Sequence, residues 1–201
     1  MSIALLDLLA LALRRRALPA VLALLLCGGT WAQPLPPIDQ DQRGSGTAVA
    51  IGGGLRSDND EIYSRLIAAA GGKSGRWVVF GTASENPEGS AAQVVQQFSQ
   101  RGVAAVALPV SPRFKARPVD EVVRDPDLVA QVRAAQGVYF TGGAQAVIVD
   151  SFMPGGQTTP LLRAVWAVYR AGGVVAGTSA GAAIMSSTMF RDAPDVLGAM
   201  K

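Results

Sequence analysis

One short run combines residue types and spacing sufficient for nucleophilic chemistry: Gly177-Thr178-Ser179-Ala180-Gly181, a G-x-S-x-G pattern. Val174, Val175 and Ala176 before it read as the end of a buried strand, and Ala182 to Met185 after it as the start of a buried helix. A chain that turns directly from strand to helix holds its central residue in a strained backbone conformation, which only small neighbours tolerate; Gly177, Ala180 and Gly181 are small. Such a nucleophile elbow projects the Ser179 hydroxyl into a cleft. The helix that follows places unpaired N–H groups and the positive end of its dipole where an oxyanion would form. Ala180 N–H is the natural first oxyanion donor. The same residues also read as a plain strand-to-helix turn with serine as N-cap.

Acyl transfer needs a second donor from a neighbouring loop, and Thr141-Gly142-Gly143-Ala144-Gln145 follows another apolar strand directly. Gly143 N–H is the candidate there, against the reading of an ordinary glycine turn. Gln145 either holds a polar group of the substrate or caps its own loop. Gly52-Gly53-Gly54 invites a dinucleotide reading that fails, because Ser57 replaces the third fingerprint glycine and Gly71-Gly72 stand where a ribose-binding acid belongs. Arg56, Asp58 and Asn59 read equally as the edge of a pocket or as a solvated helix start. Asp192 and Asp195 follow the elbow and could be proposed as a triad acid, but an exposed turn around Pro194 accounts for them more simply. The sequence contains no histidine, so a Ser-His-acid triad cannot be completed within these 201 residues.

These loops need a scaffold, and the intervening residues supply one. Apolar strands at Thr47–Ile51, Trp77–Phe80, Val103–Leu108, Gly137–Phe140 and the elbow strand alternate with amphipathic stretches. The stretches are striped by Ile62, Leu66, Ala69 and Ala70, by Ala91, Val94, Val95 and Phe98, by Leu128, Val132 and Ala135, and by Leu161, Leu162, Val165, Trp166 and Tyr169. Five βα units in succession predict an α/β fold, a three-layer parallel sheet with helices on both faces. Ligands of such sheets bind beyond the carboxyl ends of the strands. The site is therefore expected from the loops 52–59, 82–87, 141–145 and the elbow.

The chain carries 18 basic and 15 acidic residues, but Arg14, Arg15, Arg16 and Asp7 fall in the first 32, which leaves 15 against 14 beyond them. This near balance removes the main support for nucleic-acid binding. Residues 1–32 read as a signal peptide: a basic cluster at Arg14–Arg16, an apolar run from Ala17 to Leu26, and Thr30-Trp31-Ala32 as a small-x-small cleavage signal. The run is too short to span a membrane, so no stable span is expected after its removal, and the protein is expected in the periplasm or outside a bacterial cell. The only cysteine, Cys27, lies in this leader, so the mature chain has no disulfide and no Cys-based metal site. Residues 33–46, with Pro34, Pro36 and Pro37, read as an extended tether, and 47–201 as the α/β domain.

The segments IGGGLRSDN, GTASENP, TGGAQ and GTSAGAAIMS, in that order, resemble the cyanophycinase family of serine peptidases, peptidase family S51, its exported members most closely. The resemblance runs from about Thr47 to the end of the chain. It implies a class I glutamine-amidotransferase-like fold, Ser179 as nucleophile, and oxyanion and substrate contacts around Gly143 and Gln145. It also implies hydrolysis of an arginine-bearing poly-aspartate to β-Asp-Arg dipeptides, with no metal or cofactor. Arg56 and Asn59, in the first loop, are substrate-binding candidates. Two departures stand out. Ala144 occupies a position where the family commonly carries Asp or Asn, and the family's catalytic histidine lies C-terminal to the elbow helix, beyond Lys201. The chain is thus expected to be the N-terminal portion of a longer domain, prone to aggregate as a 201-residue product and inactive without a general base.

Two other functions compete. An α/β-hydrolase esterase shares the elbow, but its common His-Gly-Gly-Gly oxyanion motif is missing while TGGxQ is present. A non-catalytic exported binding protein would keep the cleft without the triad. The sequence leaves the oligomeric state open, a homodimer included.

Overall fold

The computed structural model describes residues 45–191. The proposed signal peptide, Cys27, the tether up to residue 44, and Asp192 and Asp195 lie outside the described residues.

Five strands form one parallel sheet: β1 (Thr47–Ile51), β2 (Arg76–Phe80), β3 (Ala104–Leu108), β4 (Gly137–Phe140) and β5 (Val174–Thr178). Their spatial order is β1-β5-β4-β2-β3. Around the sheet lie α1 (Asp60–Ala69), α2 (Pro87–Gln100), α3 (Val119–Val122), α4 (Pro126–Arg133), α5 (Gln145–Phe152), α6 (Pro160–Arg170) and the short α7 (Ala180–Ala183). The expected three layers are present, and side-chain alternation along the strands explains why. Val78, Phe80, Val138 and Phe140 face one way and pack with Val132 of α4, Ile148 and Phe152 of α5, and Leu161, Ala164 and Val168 of α6. Trp77, Val79, Tyr139, Val174 and Ala176 face the other way, against Tyr63, Leu66 and Ile67 of α1 and Ala91 and Phe98 of α2. Each sheet face thus has its own apolar core.

Three helices begin on an N-cap followed by proline: Asn86-Pro87, Asp125-Pro126 and Thr159-Pro160. In each, the cap side chain accepts a bond from a first-turn amide, as with Gly89 N–H to Asn86 Oδ1 at 3.0 Å and Leu162 N–H to Thr159 Oγ1 at 3.2 Å. The proline sits where its missing N–H costs nothing.

Two expectations need correction. The buried stripe of α1 is Tyr63, Leu66, Ile67 and Ala70; Ala69 faces solvent and Ile62 only packs at the margin. A face centred between Leu66 and Ile67 admits positions three and four residues away on either side, and the larger Tyr63 is selected over Ile62 because it faces Phe98 edge-on. The strands are also not all buried on both faces. The flanking strands β1 and β3 leave most residues exposed or partly exposed, whereas β4 is buried throughout. An edge position removes one neighbour, and the small Ala residues of β1 and β3 present little surface to cover.

Candidate active site

The elbow forms as its residue types dictate. β5 ends at Thr178, α7 begins at Ala180, and Ser179 alone joins them with φ 50° and ψ −113°. Among the described residues Ser179 is the only non-glycine residue with positive φ. The turn is this tight because glycines let the helix lie on the sheet. A β-carbon on Gly177 would meet Gly181 O at 2.4 Å, and one on Gly181 would meet Phe140 O at 2.2 Å. Ser179 N–H donates to Ile51 O at 3.1 Å, which ties the elbow to the end of β1. Ala182 N–H and Ala183 N–H then close on Ser179 O at 3.0 and 2.9 Å, so Ala180 and Gly181 contribute the amides of the helix start. The helix begins two residues earlier than the apolar run 182–185 suggests, because Ser179 itself is the cap residue.

Two glycine loops flank the serine. A β-carbon on Gly53 would lie 3.7 Å from Ser179 Cβ and 3.9 Å from its Oγ; one on Gly142 would lie 3.2 and 3.7 Å from the same atoms. The loops after β1, β4 and β5 therefore converge on Ser179, as expected for ligand binding beyond the strand carboxyl ends, whereas the loop 82–87 after β2, also expected there, contributes no residue to the cavity beside the serine and packs behind Gly143 instead. Ser179 also lines a cavity of about 230 Å³ shared with Leu55, Tyr63, Gln93, Tyr139 and Thr141. Its chemistry is set by buried hydroxyls. Burial pushes the Tyr139 hydroxyl up to about 12, against the opposing pull of a hydrogen bond with Thr178. Burial likewise raises Tyr63, opposed by the charge of Arg101, whose guanidinium sits 4.4 Å over the Tyr63 ring. Both phenols stay protonated at neutral pH. Thr141 Oγ1 is buried without a hydrogen-bond partner.

The sequence candidates divide into two groups. Ser179 and Ala180 form the elbow, with Gly142 against the serine. Gly143, the proposed second donor, is one residue further on, and a β-carbon there would strike Ala83 O at 2.0 Å. It backs onto the loop after β2, which Ala144 N–H also grips through Ala83 O at 3.0 Å. Arg56, Asn59 and Gln145 do not line the cavity. Arg56 is exposed and pairs with Asp58 at 2.8 Å. Asn59 caps α1 by accepting from Ile62 N–H at 3.1 Å, and Gln145 Nε2 donates to Phe190 O at 2.8 Å. The solvated helix start thus describes Arg56 and Asn59, whereas Gln145 caps no loop of its own and instead reaches a carbonyl 45 residues further along the chain.

Tyr63, Gln93, Tyr139 and Thr141 line the cavity; of these only Thr141 lies in a loop expected to form the site, and none was singled out as a site residue. Tyr139 and Thr141 had one signal, their place at the carboxyl end of β4. Tyr63 and Gln93 had none, because an aromatic and a glutamine on amphipathic helices read as core and solvent face.

Among the described residues, no cluster of three His, Cys, Asp or Glu side chains could hold a metal ion, and no helix is long and apolar enough to cross a membrane. Compared with solved structures, the chain is similar to a peptidase from an acI-B1 Actinobacterium, with 27% identity and a TM-score of 0.57, over 72% of this chain and 58% of that one. It is also similar in fold to a candidate peptidase E from Listeria monocytogenes EGD-e, with 12% identity and a TM-score of 0.52, over 72% of this chain and 64% of that one. The chain thus spans about three fifths of the length of these structures. The model of peptidase family S51 matches residues 48–198, a stretch that contains all of the sheet but Thr47, the elbow and every loop that meets at Ser179. With that match extending over most of its length, the chain belongs to peptidase family S51.

Proposed function

We propose that the protein is a serine-type peptidase that hydrolyses cyanophycin or related β-aspartyl peptides through a Ser179 acyl-enzyme. The observation that carries this reading is the backbone of Ser179. A non-glycine residue held at φ 50° and ψ −113°, between a strand and a helix and beside two glycine loops, stores strain that packing alone does not require. In the proposed reaction Ser179 Oγ attacks the scissile carbonyl and its proton passes to a general base. The oxyanion is received by Ala180 N–H and an amide of the 142–143 loop; collapse expels the amine, which takes up the proton. Water then hydrolyses the ester. The 201 residues contain no histidine, so in this reading the base comes from outside them.

The test is dipeptide release from cyanophycin by the protein expressed from its complete reading frame, with Ser179→Ala alongside. Loss of release in the variant is expected, and equal release would sink the assignment. Were these 201 residues the whole protein, the lack of histidine would favour one competing reading, a non-catalytic exported binding protein. Under that reading neither form releases product, yet the polymer still binds.

Export belongs to the same proposal: residues 1–32 are removed, residues 33–46 tether the domain 47–201, and the mature protein begins at Gln33. N-terminal sequencing of the protein recovered from periplasm or medium checks it, and a mature chain that retains Met1 would refute it.

A further inference from the structure

The loop after β1 meets Ser179 through glycine: a β-carbon on Gly53 would lie 3.7 Å from Ser179 Cβ, and Gly52 and Gly54 flank it. Three glycines in succession give the chain wide backbone freedom and no side chains to anchor it. One end of the loop is fixed by the sheet, where Ile51 O accepts Ser179 N–H at 3.1 Å. The other end is gripped from another element. Arg101, just past the end of α2, donates from Nη2 to Ser57 O at 2.9 Å, across 44 residues of sequence. The same guanidinium donates to Gln97 O at 2.9 Å and Gln97 Oε1 at 3.0 Å, pairs with Asp60 at the start of α1, and lies 4.4 Å over the Tyr63 ring. Among the described residues, the other hydrogen bonds of 52–58 stay within the loop and the start of α1: Asn59 N–H to Arg56 O, Asp60 N–H to Asp58 O, and Arg56 to Asp58.

We propose that Arg101 is a positioning residue of the site: through Ser57 O it holds the glycine loop after β1 in place beside Ser179, so that substrate meets a fixed wall there. The proposal rests on the Ser179 nucleophile reading. Arg101 does not line the cavity beside the serine, whereas Gly54, Leu55 and Ser57 do, so it acts on substrate only through the loop. Its side chain is 16% exposed, and its Nε is buried without a partner. A cation withdrawn from water with one donor unsatisfied is unfavourable by itself and has to be held by what surrounds it. The planar fork makes contacts that a point charge cannot make together: it stacks on Tyr63 while its two arms reach α2 and the loop. The end of α2 also favours a cation, and Gln97 O is among the carbonyls left over in its last turn. Capping α2 would require only the arm on Gln97; the second arm, on Ser57 O, serves the loop.

The experiment uses the protein from its complete reading frame in three forms: the parent, Arg101→Met, which keeps an unbranched apolar stem without the fork, and Arg101→Lys, which keeps the charge. All readouts are taken well below the melting transition of every form. On soluble cyanophycin oligomers, Arg101→Met should raise KM about tenfold or more with a smaller change in kcat, and Arg101→Lys should fall in between. A small sulfonyl fluoride, too small to depend on the loop, should label Ser179 in both variants at a rate within about twofold of the parent. Hydrogen exchange in Arg101→Met should quicken about tenfold in peptides covering residues 52–60 and stay unchanged in the strands of the sheet. An arginine that only stabilises the fold predicts something else: a smaller active fraction, hence a lower kcat at unchanged KM and fewer labelled serines. That pattern, an unchanged KM, or unchanged exchange in 52–60 overturns the proposal. Should Arg101→Met fail to fold, Arg101→Lys decides by the same three readouts. Equal product release by the parent and Ser179→Ala removes the nucleophile reading, and the proposal with it, a result that no Arg101 variant can mimic.

Discussion

The strain at Ser179 can be weighed by replacing it with glycine. At φ 50° and ψ −113° the residue occupies the mirror image of the ordinary extended basin, open to glycine and strained for side chains bearing a β-carbon. A residue held in such a region costs about 1–3 kcal/mol, which Ser179→Gly releases. Glycine also loosens the unfolded chain, which subtracts about 0.5–1 kcal/mol. Ser179 Oγ makes no hydrogen bond within the described protein, so its removal adds little to the loss. The net expectation is a gain of about 1 kcal/mol, or about 2–4 °C in melting temperature for a domain of this size. Ser179→Ala keeps the β-carbon and therefore the strain, so it serves as the matched control with the same missing hydroxyl. Thermal and urea unfolding of the three forms make the comparison. If the glycine form is no more stable than the alanine form, the backbone at the elbow is not strained, and the argument from geometry to nucleophile fails. Loss of activity together with increased stability is the trade expected where strain serves a site.

Three further outcomes follow from the packing and charges of the domain. Gly181→Ala places a β-carbon 2.2 Å from Phe140 O, a backbone atom that cannot step aside; a loss of about 1–3 kcal/mol in urea unfolding is expected, and an unchanged midpoint would refute the close approach. Asp125 is held below its ordinary value of 3.8, first by its bond with Arg117 and then by the backbone amides at the start of α4. A carboxyl depressed by folding stabilises above its unfolded value and loses that contribution as pH falls through the folded one, so the parent should lose melting temperature below about pH 4 more steeply than Asp125→Asn. Parallel pH profiles of the two would be the contrary result. Tyr139, raised to about 12 by burial, stabilises fully below the ordinary phenol value of 10.0 and loses that contribution as pH climbs through the window between the two. Tyr139→Phe should flatten the alkaline limb of the melting profile, while a phenol absorbance change in Tyr139 complete by pH 10 would contradict its burial.

Much of this protein was legible because its signals are local. The strands Thr47–Ile51 and Gly137–Phe140 follow from apolar runs bounded by glycine, and the elbow follows from small residues on both sides of one serine. The starts of α2, α4 and α6 are marked by cap-proline pairs whose bonds span three residues or fewer. Each of these features is settled within a few residues of chain, and local sterics decide it. Tertiary structure decided what meets across long separations. The order β1-β5-β4-β2-β3 sets β1 beside β5 and brings Gly53 within reach of Ser179, although more than a hundred residues separate them in sequence. The same packing turns Tyr63 and Tyr139 toward one cavity, and it keeps Gly142 rather than Gly143 against the serine. Arg56, Asn59 and Gln145 carried the right chemistry in the right loops, yet nearer partners claimed them: a carboxylate two residues away, a helix amide, and the Phe190 carbonyl. Polar side chains bond the first suitable group the fold offers. Which group that is depends on register and helix placement, and no stretch of chain specifies those by itself.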